Sequence, residues 1–555
     1  MLGVIPPLPA VKSLRADIEV TTGKASIVTT GVIVVKPLQS LPGLLCQLNL
    51  KSSQTRNSRN CTAYYSHNDT IIVSPIYLNQ SSFSSGITNP TRFVILFIIL
   101  ESHNQYLKLT SLLGTGNIGE MVPKLSLFPL TAGVNDQGHL IIGGCDTVEL
   151  ATEFGTPLYL FDEFSLRSKC TEFREEFGQR HTDTTVIYAC KAFLNQALAL
   201  ILNEEGLGLD VVSTGELTIA QSVGFPLDRV YFHGNNKSAE EIRLALEWHI
   251  GRIVVDNGHE LKMLGEVAGE QGYIPDILLR ISPGVDPHTH KYIATGVVDS
   301  KFGFPLASAE EAVAQAMSTP SLNLVGLDFH LGSLIFETEP YQQAIEFILN
   351  LAAKMKQKYG FELKELNIGG GFAIQYTLDS PAPPVSIYAE AITAKIISRC
   401  RELKLTLPRL IVEPGRAVVG QAGVALYKVG VVKDITGVRC YVSVDGGMAD
   451  NIRPALYGAK YEAVVANKVL EEAAGKVTIA GKFCESGDIL VKDINLPPVS
   501  AGDFIAIPDC GAYCLPQATN YNASLKPAVV LVKDGKARLI RRRETFDDLT
   551  KYDLI

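Results

Sequence analysis

Along the middle of the chain, short apolar runs alternate with longer segments in which apolar residues recur every three to four positions. The runs are Val186–Cys190, Gly208–Val212, Arg229–Phe232, Arg252–Val255, Asp276–Ile281, Leu324–Phe329, Glu365–Ile368 and Arg409–Val412. Nearly continuous apolar character over so few residues predicts strands buried on both faces. The intervening segments carry helix signals. Ser213, Ser238 and Ser308 each stand three residues ahead of a glutamate (Glu216, Glu241, Glu311), the spacing of a capping box. The stretch from Tyr341 to Met355 has the spacing of an amphipathic helix. Gly206, Gly224 and Gly360 stand where helix C-caps are expected. Eight βα units in about 240 residues predict a (β/α)8 barrel; a doubly wound sheet is the alternative. The barrel is preferred on the count, and because polar residues follow the strands, where barrel active sites form.

The pattern differs on either side of this region. His139–Ile142 and Thr156–Phe161 are strand candidates ahead of it. Beyond about residue 420 come the β-rich runs Gly423–Val432, Val438–Val444, Lys476–Ala480, Phe504–Ile507, Ala528–Lys533 and Lys536–Ile540, the last two flanking the hairpin signal Asp534-Gly535. The expected fold is therefore α/β: a (β/α)8 TIM barrel over 165–420, and a C-terminal all-β domain, a Greek-key barrel or sandwich, over 421–555. Residues 126–164 supply strands that join the β domain, which completes the active site.

Residues 1–125 are rich in Ser, Thr and Asn and show little sustained period. They read as a disordered extension, a weak targeting peptide or sequence upstream of the true start. Asn-x-Ser/Thr triplets at Asn60, Asn68 and Asn79 are expected by chance in such a tract. The eight apolar residues Phe93–Leu100 fall short of the roughly 20 a membrane helix needs and read as a core strand.

Bulk composition narrows the function. A net charge of −8 argues against a general nucleic-acid binder, and no membrane partner is expected. Ten scattered cysteines do not make a disulfide scaffold, and Cys510 and Cys514 lack a second pair to complete a zinc site. His288 and His290 alternate without an acidic partner and read as a solvated loop, so no metal is expected. A reducing compartment follows: the cytoplasm, or a plastid if the host is a photosynthetic eukaryote.

Collected in order, the strand ends present Lys191, Asp210 with Ser213, His233, Asp256, Arg280, His330, Gly369–Gly371 and Glu413. An ammonium at the tip of a buried strand is costly unless used, and such a lysine is expected to lose its proton more easily and attack a carbonyl. The three glycines allow backbone N–H groups to approach a phosphate. His330 offers a flat ring to a flat cofactor. Glu413 can keep a ring nitrogen protonated, which makes the ring an electron sink. His233 reads equally well as a core histidine.

These residues lie in motifs that resemble a known family. Tyr188-Ala-Cys-Lys191-Ala, His330-Leu-Gly-Ser333, Asn367-Ile-Gly-Gly-Gly371, Glu413-Pro-Gly-Arg416, Cys484-Glu-Ser-Gly-Asp488 and Gly511-Ala-Tyr513 resemble diaminopimelate decarboxylases, fold-type III pyridoxal-phosphate enzymes, in the family's order from about Leu127 onward. The stretch Ala294–Gly303 also looks like a family loop. The resemblance implies decarboxylation of meso-2,6-diaminopimelate to L-lysine and CO2. It implies that Lys191 binds pyridoxal 5'-phosphate covalently, that His330 stacks on the ring and that Glu413 pairs with its nitrogen. Ser333, Gly370, Gly371, Gly415 and Arg416 would surround the cofactor. Arg416, Arg453 and Tyr457 would grip the substrate's distal end, and Tyr513 would touch substrate and cofactor. Cys484 would donate the proton and Glu485 would bind substrate, both reaching into the partner's site of a homodimer. Sister decarboxylases for ornithine, arginine or carboxynorspermidine, an inactive cofactor-binding homologue and a racemase are the alternatives. Leu334 and Leu515-Pro516-Gln517 depart from the expected pattern near the site.

Overall fold

The computed structural model describes residues 123–285 and 300–555, together with six short strands in the first 122 residues. Those strands are Leu14–Glu19, Leu45–Lys51, Arg59–Tyr65 and Ile71–Val73, which form one sheet, and the antiparallel pair Val94–Leu100 and Leu107–Leu113. They belong to a unit of their own, Met1–Met121. The strand expected at Phe93–Leu100 is the fifth of them. His288, His290 and residues 294–299 of the family-like loop lie outside the described residues, as does most of the expected N-terminal extension.

From residue 122 onward the chain forms a second unit, and eight parallel strands make its centre. They are β1 (Thr184–Ala189), β2 (Gly208–Val211), β3 (Val230–Phe232), β4 (Arg252–Val255), β5 (Asp276–Ser282), β6 (Asn323–Asp328), β7 (Glu365–Asn367) and β8 (Arg409–Val412). Each pairs with the next, and β8 pairs with β1 through Thr184↔Leu410, so the sheet closes. Closure excludes the doubly wound alternative. Seven helices connect consecutive strands, and Glu163–Gly178, ahead of β1, packs against Val385–Leu403 to complete the outer ring.

Alternation along the strands divides the core. Ile187, Tyr231, Val254, Leu278, Val325 and Ile411 form a cluster of their own inside the barrel, while Tyr188, Leu209, Phe232 and Leu279 join the larger cluster under the helices. Truncating one interior residue, such as Ile411→Ala, is expected to cost about 2–5 kcal/mol. The N-terminal end is plugged by charge: Arg252 donates to both carboxylate oxygens of Glu365, at 3.0 and 2.7 Å. The C-terminal end is left open for chemistry.

The helix starts follow their caps, with two corrections. Ser238 and Glu241 form the full capping box. Ser213 accepts from Glu216 N, but the Glu216 carboxylate accepts from Val212 N instead of reaching back to Ser213. Ser308 caps nothing: it sits inside the helix Leu306–Ser318, its hydroxyl bonded to Pro305 O. The short strand Phe304–Pro305, paired with Ile281 and Ser282, sets the chain direction before Ser308 is reached.

The second sheet is a separate β domain. Strand Leu158–Asp162, ahead of the barrel in sequence, lies between Gly423–Ile435 (antiparallel) and Ala528–Lys533 (parallel). The hairpin at Asp534-Gly535 joins Ala528–Lys533 to Lys536–Arg541. Strands Val464–Val465 and Ile489–Leu496 were not expected from the sequence pattern. Ile489–Leu496 alternates poorly because its polar residues face solvent at irregular positions, and its register with Gly475–Ala480 shifts twice.

Candidate active site

The strand-end residues converge at the C-terminal mouth of the barrel. Lys191 lies on the single turn Cys190–Ala192 that follows β1. Its Nζ stands 3.2 Å from Asp210 Oδ2 at the end of β2, and its side chain is 40% exposed, open on the site side. The expectation of an easily deprotonated lysine is corrected here. Burial works against the ammonium, but Asp210, Glu413 and Tyr513 outweigh it and raise the lysine's pKa above its usual value.

Behind Lys191 lies a buried charge cluster. His233 Nε2 is 2.9 Å from Glu413 Oε1 and 3.8 Å from Asp210 Oδ1. Against burial, the two carboxylates push the imidazole up to about 9. Burial would raise Glu413, but His233, Lys191 and the amide of Asn367, 2.6 Å from Oε1, bring it down to about 2. Glu413 is thus an anion on the floor of the site and His233 a cation. Asp210, His233 and Glu413 each offer a ligand atom within 4.8 Å of the others. Farther round the rim, Arg280 lies 3.8 Å from Asp256 and 3.9 Å from Asp328. Burial, then Glu413, pushes Asp328 up to about 7.

The glycine-rich turn after β7 is forced by contact. A Cβ on Gly370 would come within 2.2 Å of Glu413 O, and Gly371 has φ +102°. Two of its three N–H groups are already used: Gly369 donates to Asn367 Oδ1 (2.9 Å) and Gly370 to His330 Nδ1 (3.2 Å). The expected phosphate cradle therefore narrows to Gly371, with Gly415 and Arg416, whose N–H groups have no hydrogen bond among the described residues. Gly415 sits against the end of β1, where a Cβ would meet that of Ala189 at 3.0 Å. Because His330 Nδ1 accepts a hydrogen bond, its proton belongs on Nε2. Burial, then Lys191 and Arg280, lowers its pKa well below the usual value, so the ring is neutral.

The β domain completes the mouth. Tyr513 has φ +66° and donates its N–H to Ala192 O at 2.7 Å, next to Lys191. Its ring faces two guanidiniums, Arg416 at 4.7 Å and Arg453 at 5.4 Å from the centroid. Arg416 Nη2 donates to Ser333 Oγ at 3.0 Å. Tyr457 is exposed beside Arg453, whose guanidinium lies 5.5 Å from its ring. Leu334 adopts φ +57°, a left-handed conformation unusual for leucine, directly after Ser333.

Cys484 and Glu485 stand apart. Both are exposed on the loop before Ile489–Leu496, and no described contact joins them to Lys191, Glu413 or Arg416. Asp488 holds the loop's base through Phe483 N (2.9 Å) and Met448 N (2.6 Å). Asn367, Asp328, Tyr376 and Tyr461 also line the site, although no motif in the sequence gives them a role. Asn367 could have been found from its place two residues before Gly369; Tyr376 and Tyr461 carry no local signal.

Comparison with known proteins fits this geometry. Residues 164–420 match the family described as pyridoxal-dependent decarboxylase, pyridoxal binding domain. Over 426 residues the chain is 47% identical to the diaminopimelate decarboxylase of Bacillus subtilis (strain 168), covering 76% of this chain and 97% of that relative. The crystal structure of diaminopimelate decarboxylase from M. jannaschii in co-complex with L-lysine is similar at TM-score 0.72 and 36% identity, covering 77% of this chain and 98% of that one. That of the Helicobacter pylori enzyme complexed with L-lysine gives TM-score 0.67 and 32% identity, over 73% of this chain and 98% of the other.

Proposed function

This chain belongs to the diaminopimelate decarboxylase family of pyridoxal-dependent decarboxylases, and from that premise we propose a role for each residue of its site. The protein decarboxylates meso-2,6-diaminopimelate to L-lysine and CO2. Its cofactor is pyridoxal phosphate. The mouth of the barrel fits that group: a half-exposed lysine beside a carboxylate, a buried anion below, a neutral histidine ring, and N–H groups at Gly371, Gly415 and Arg416 that have no partner among the described residues. When bound, the cofactor supplies an electron sink for the electron pair left by departing CO2.

The residues divide the remaining work. Lys191 would hold the cofactor covalently, and Asp210 Oδ2, 3.2 Å from its Nζ, fixes where that nitrogen stands. Glu413, kept ionised by His233, favours a protonated ring nitrogen. His330, neutral and half-buried, would offer its flat face to the cofactor ring without competing for charge. The N–H groups of Gly371, Gly415 and Arg416 would hold the phosphate end, with Gly370 shaping the turn and Ser333 beside Arg416. Tyr513 closes the site from the β domain.

The observation that carries the substrate assignment is the pair of guanidiniums, Arg416 and Arg453, on the one Tyr513 ring. A substrate with a second amino-carboxylate has a carboxylate for them, and guanidinium forks bind carboxylates in bidentate fashion. Ornithine and arginine have no such group at that end. Cys484 delivers the proton that replaces CO2 and Glu485 receives the distal ammonium. Both are exposed and make no described contact with Lys191 in their own chain, which supports a homodimer in which they serve the partner's site. The eight cysteines among the described residues are all unpaired, which supports a reducing compartment such as the cytoplasm.

The test is L-lysine formation from meso-diaminopimelate by the cofactor-loaded protein, beside ornithine and arginine, with Lys191→Ala as control. Lysine production that disappears in the variant is expected. Turnover of ornithine in place of diaminopimelate would overturn the role of the two arginines.

A further inference from the structure

Beside Tyr513, two phenols brace the two guanidiniums. Arg416 Nη1 donates to Tyr376 Oη, and Arg453 Nε donates to Tyr461 Oη at 3.1 Å. The Tyr376 and Tyr461 rings meet edge to face, centroids 5.4 Å apart and planes at 88°. Tyr461 is buried, and its hydroxyl also lies 3.7 Å from Cys514 Sγ. Giving its own hydrogen to that sulfur leaves the hydroxyl lone pairs for Arg453.

The two arginines are used in opposite ways. With its Nε engaged, Arg453 presents the edge formed by its two terminal nitrogens, and these have no hydrogen bond or ion pair among the described residues. That edge matches the two oxygens of a carboxylate. Arg416 has its terminal nitrogens on Tyr376 and Ser333, while its Nε is buried without a partner. Since both phenols press on each other, turning one guanidinium plane displaces the ring that holds the other.

We infer that Tyr376 and Tyr461 are a coupled pair of positioning residues: their hydroxyls and their edge-to-face contact orient Arg416 and Arg453 toward the carboxylate that the product retains, and so set the preference for an amino acid over a diamine. This inference rests on the assignment of the two arginines to the distal carboxylate.

The experiment measures binding of L-lysine and of cadaverine, which is lysine without its carboxylate, to the cofactor-loaded enzyme. Wild type is compared with Tyr461→Phe, Tyr376→Phe, the double variant and Arg453→Ala. Each Phe variant is expected to weaken L-lysine about tenfold, the worth of a hydrogen bond to a charged group. Cadaverine affinity should not change. The double variant should lose less than the product of the single losses, because the two hydroxyls act through one contact. In turnover, KM for diaminopimelate should rise by more than kcat falls. Equal weakening of lysine and cadaverine, no weakening of lysine, or loss of bound-cofactor absorbance in both Phe variants would overturn the inference. If Arg453→Ala abolishes the preference while the Phe variants keep it, the inference fails and the arginine assignment stands. If Arg453→Ala keeps the preference, that assignment fails and the inference falls with it.

Discussion

His233 Nε2 lies 2.9 Å from Glu413 Oε1, and the pair sets the charge on the floor of the site. His233 comes from the turn after β3 and Glu413 from the turn after β8, so only a closed barrel brings them together. The pair has a pH signature. His233 rises from 6.5 to about 9 on folding, so its contribution to stability is complete below 6.5 and lost as pH climbs through about 9. Glu413 falls from 4.5 to about 2, so its contribution is complete above 4.5 and lost as pH drops through about 2. The unfolding temperature of the cofactor-free protein should therefore decline between pH 6.5 and 9, and His233→Gln should flatten that decline. A variant with the wild-type slope would remove His233 as its source.

Glu413→Gln leaves the His233 cation buried without its closest anion. Breaking a buried pair from one side costs about 3–5 kcal/mol. Chemical denaturation at pH 7 should show a loss of that order, and cofactor-loaded activity should fall with it. A stability change well under 1 kcal/mol would mean that Asp210 alone can hold the imidazolium.

Two glycines make a matched contrast. At Gly370 a Cβ would approach Glu413 O to 2.2 Å, whereas at Gly224 (φ +67°) it would meet nothing within 4 Å. Gly224→Ala should cost about 1–2 kcal/mol, the ordinary penalty of a left-handed residue. Gly370→Ala should cost more and also weaken pyridoxal phosphate binding in a cofactor titration. Equal effects would show that the turn after β7 yields to the methyl group.

Arg453→Ala removes the free guanidinium edge. Hydrogen bonds to charged groups contribute about 1.5–3 kcal/mol, so KM for diaminopimelate should rise roughly 10- to 100-fold. Steady-state kinetics that leave KM untouched would exclude a direct contact with the distal carboxylate.

The exposed Cys484–Glu485 loop predicts complementation between subunits. Lys191→Ala and Cys484→Ala should each be inactive alone. Random reassortment of equal amounts makes half the dimers mixed, each with one intact site, so about a quarter of wild-type activity should return. A mixture that stays inactive after subunit exchange would mean that each chain uses its own cysteine.

The sequence by itself determined the barrel and the identity of its strand-end residues. All eight predicted runs form strands, because a strand buried on both faces must be apolar nearly throughout and so stands out without any partner in view. Lys191, His330, Glu413 and Arg416 were legible because each lies in a short motif beside a strand end. Tertiary structure alone decided how those residues behave. Lys191 remains charged because Asp210 and Glu413, distant in sequence, surround its ammonium. Ser308 failed as a cap because pairing of Phe304–Pro305 with β5 started the helix before it. The bracing of Arg416 and Arg453 by Tyr376 and Tyr461 had no sequence signal, since it joins a turn after β7 to the β domain across a contact that exists only once the two are packed. Periodicity records which residues must leave water; the charge on a buried group and the orientation of a guanidinium depend on neighbours that only the closed fold supplies.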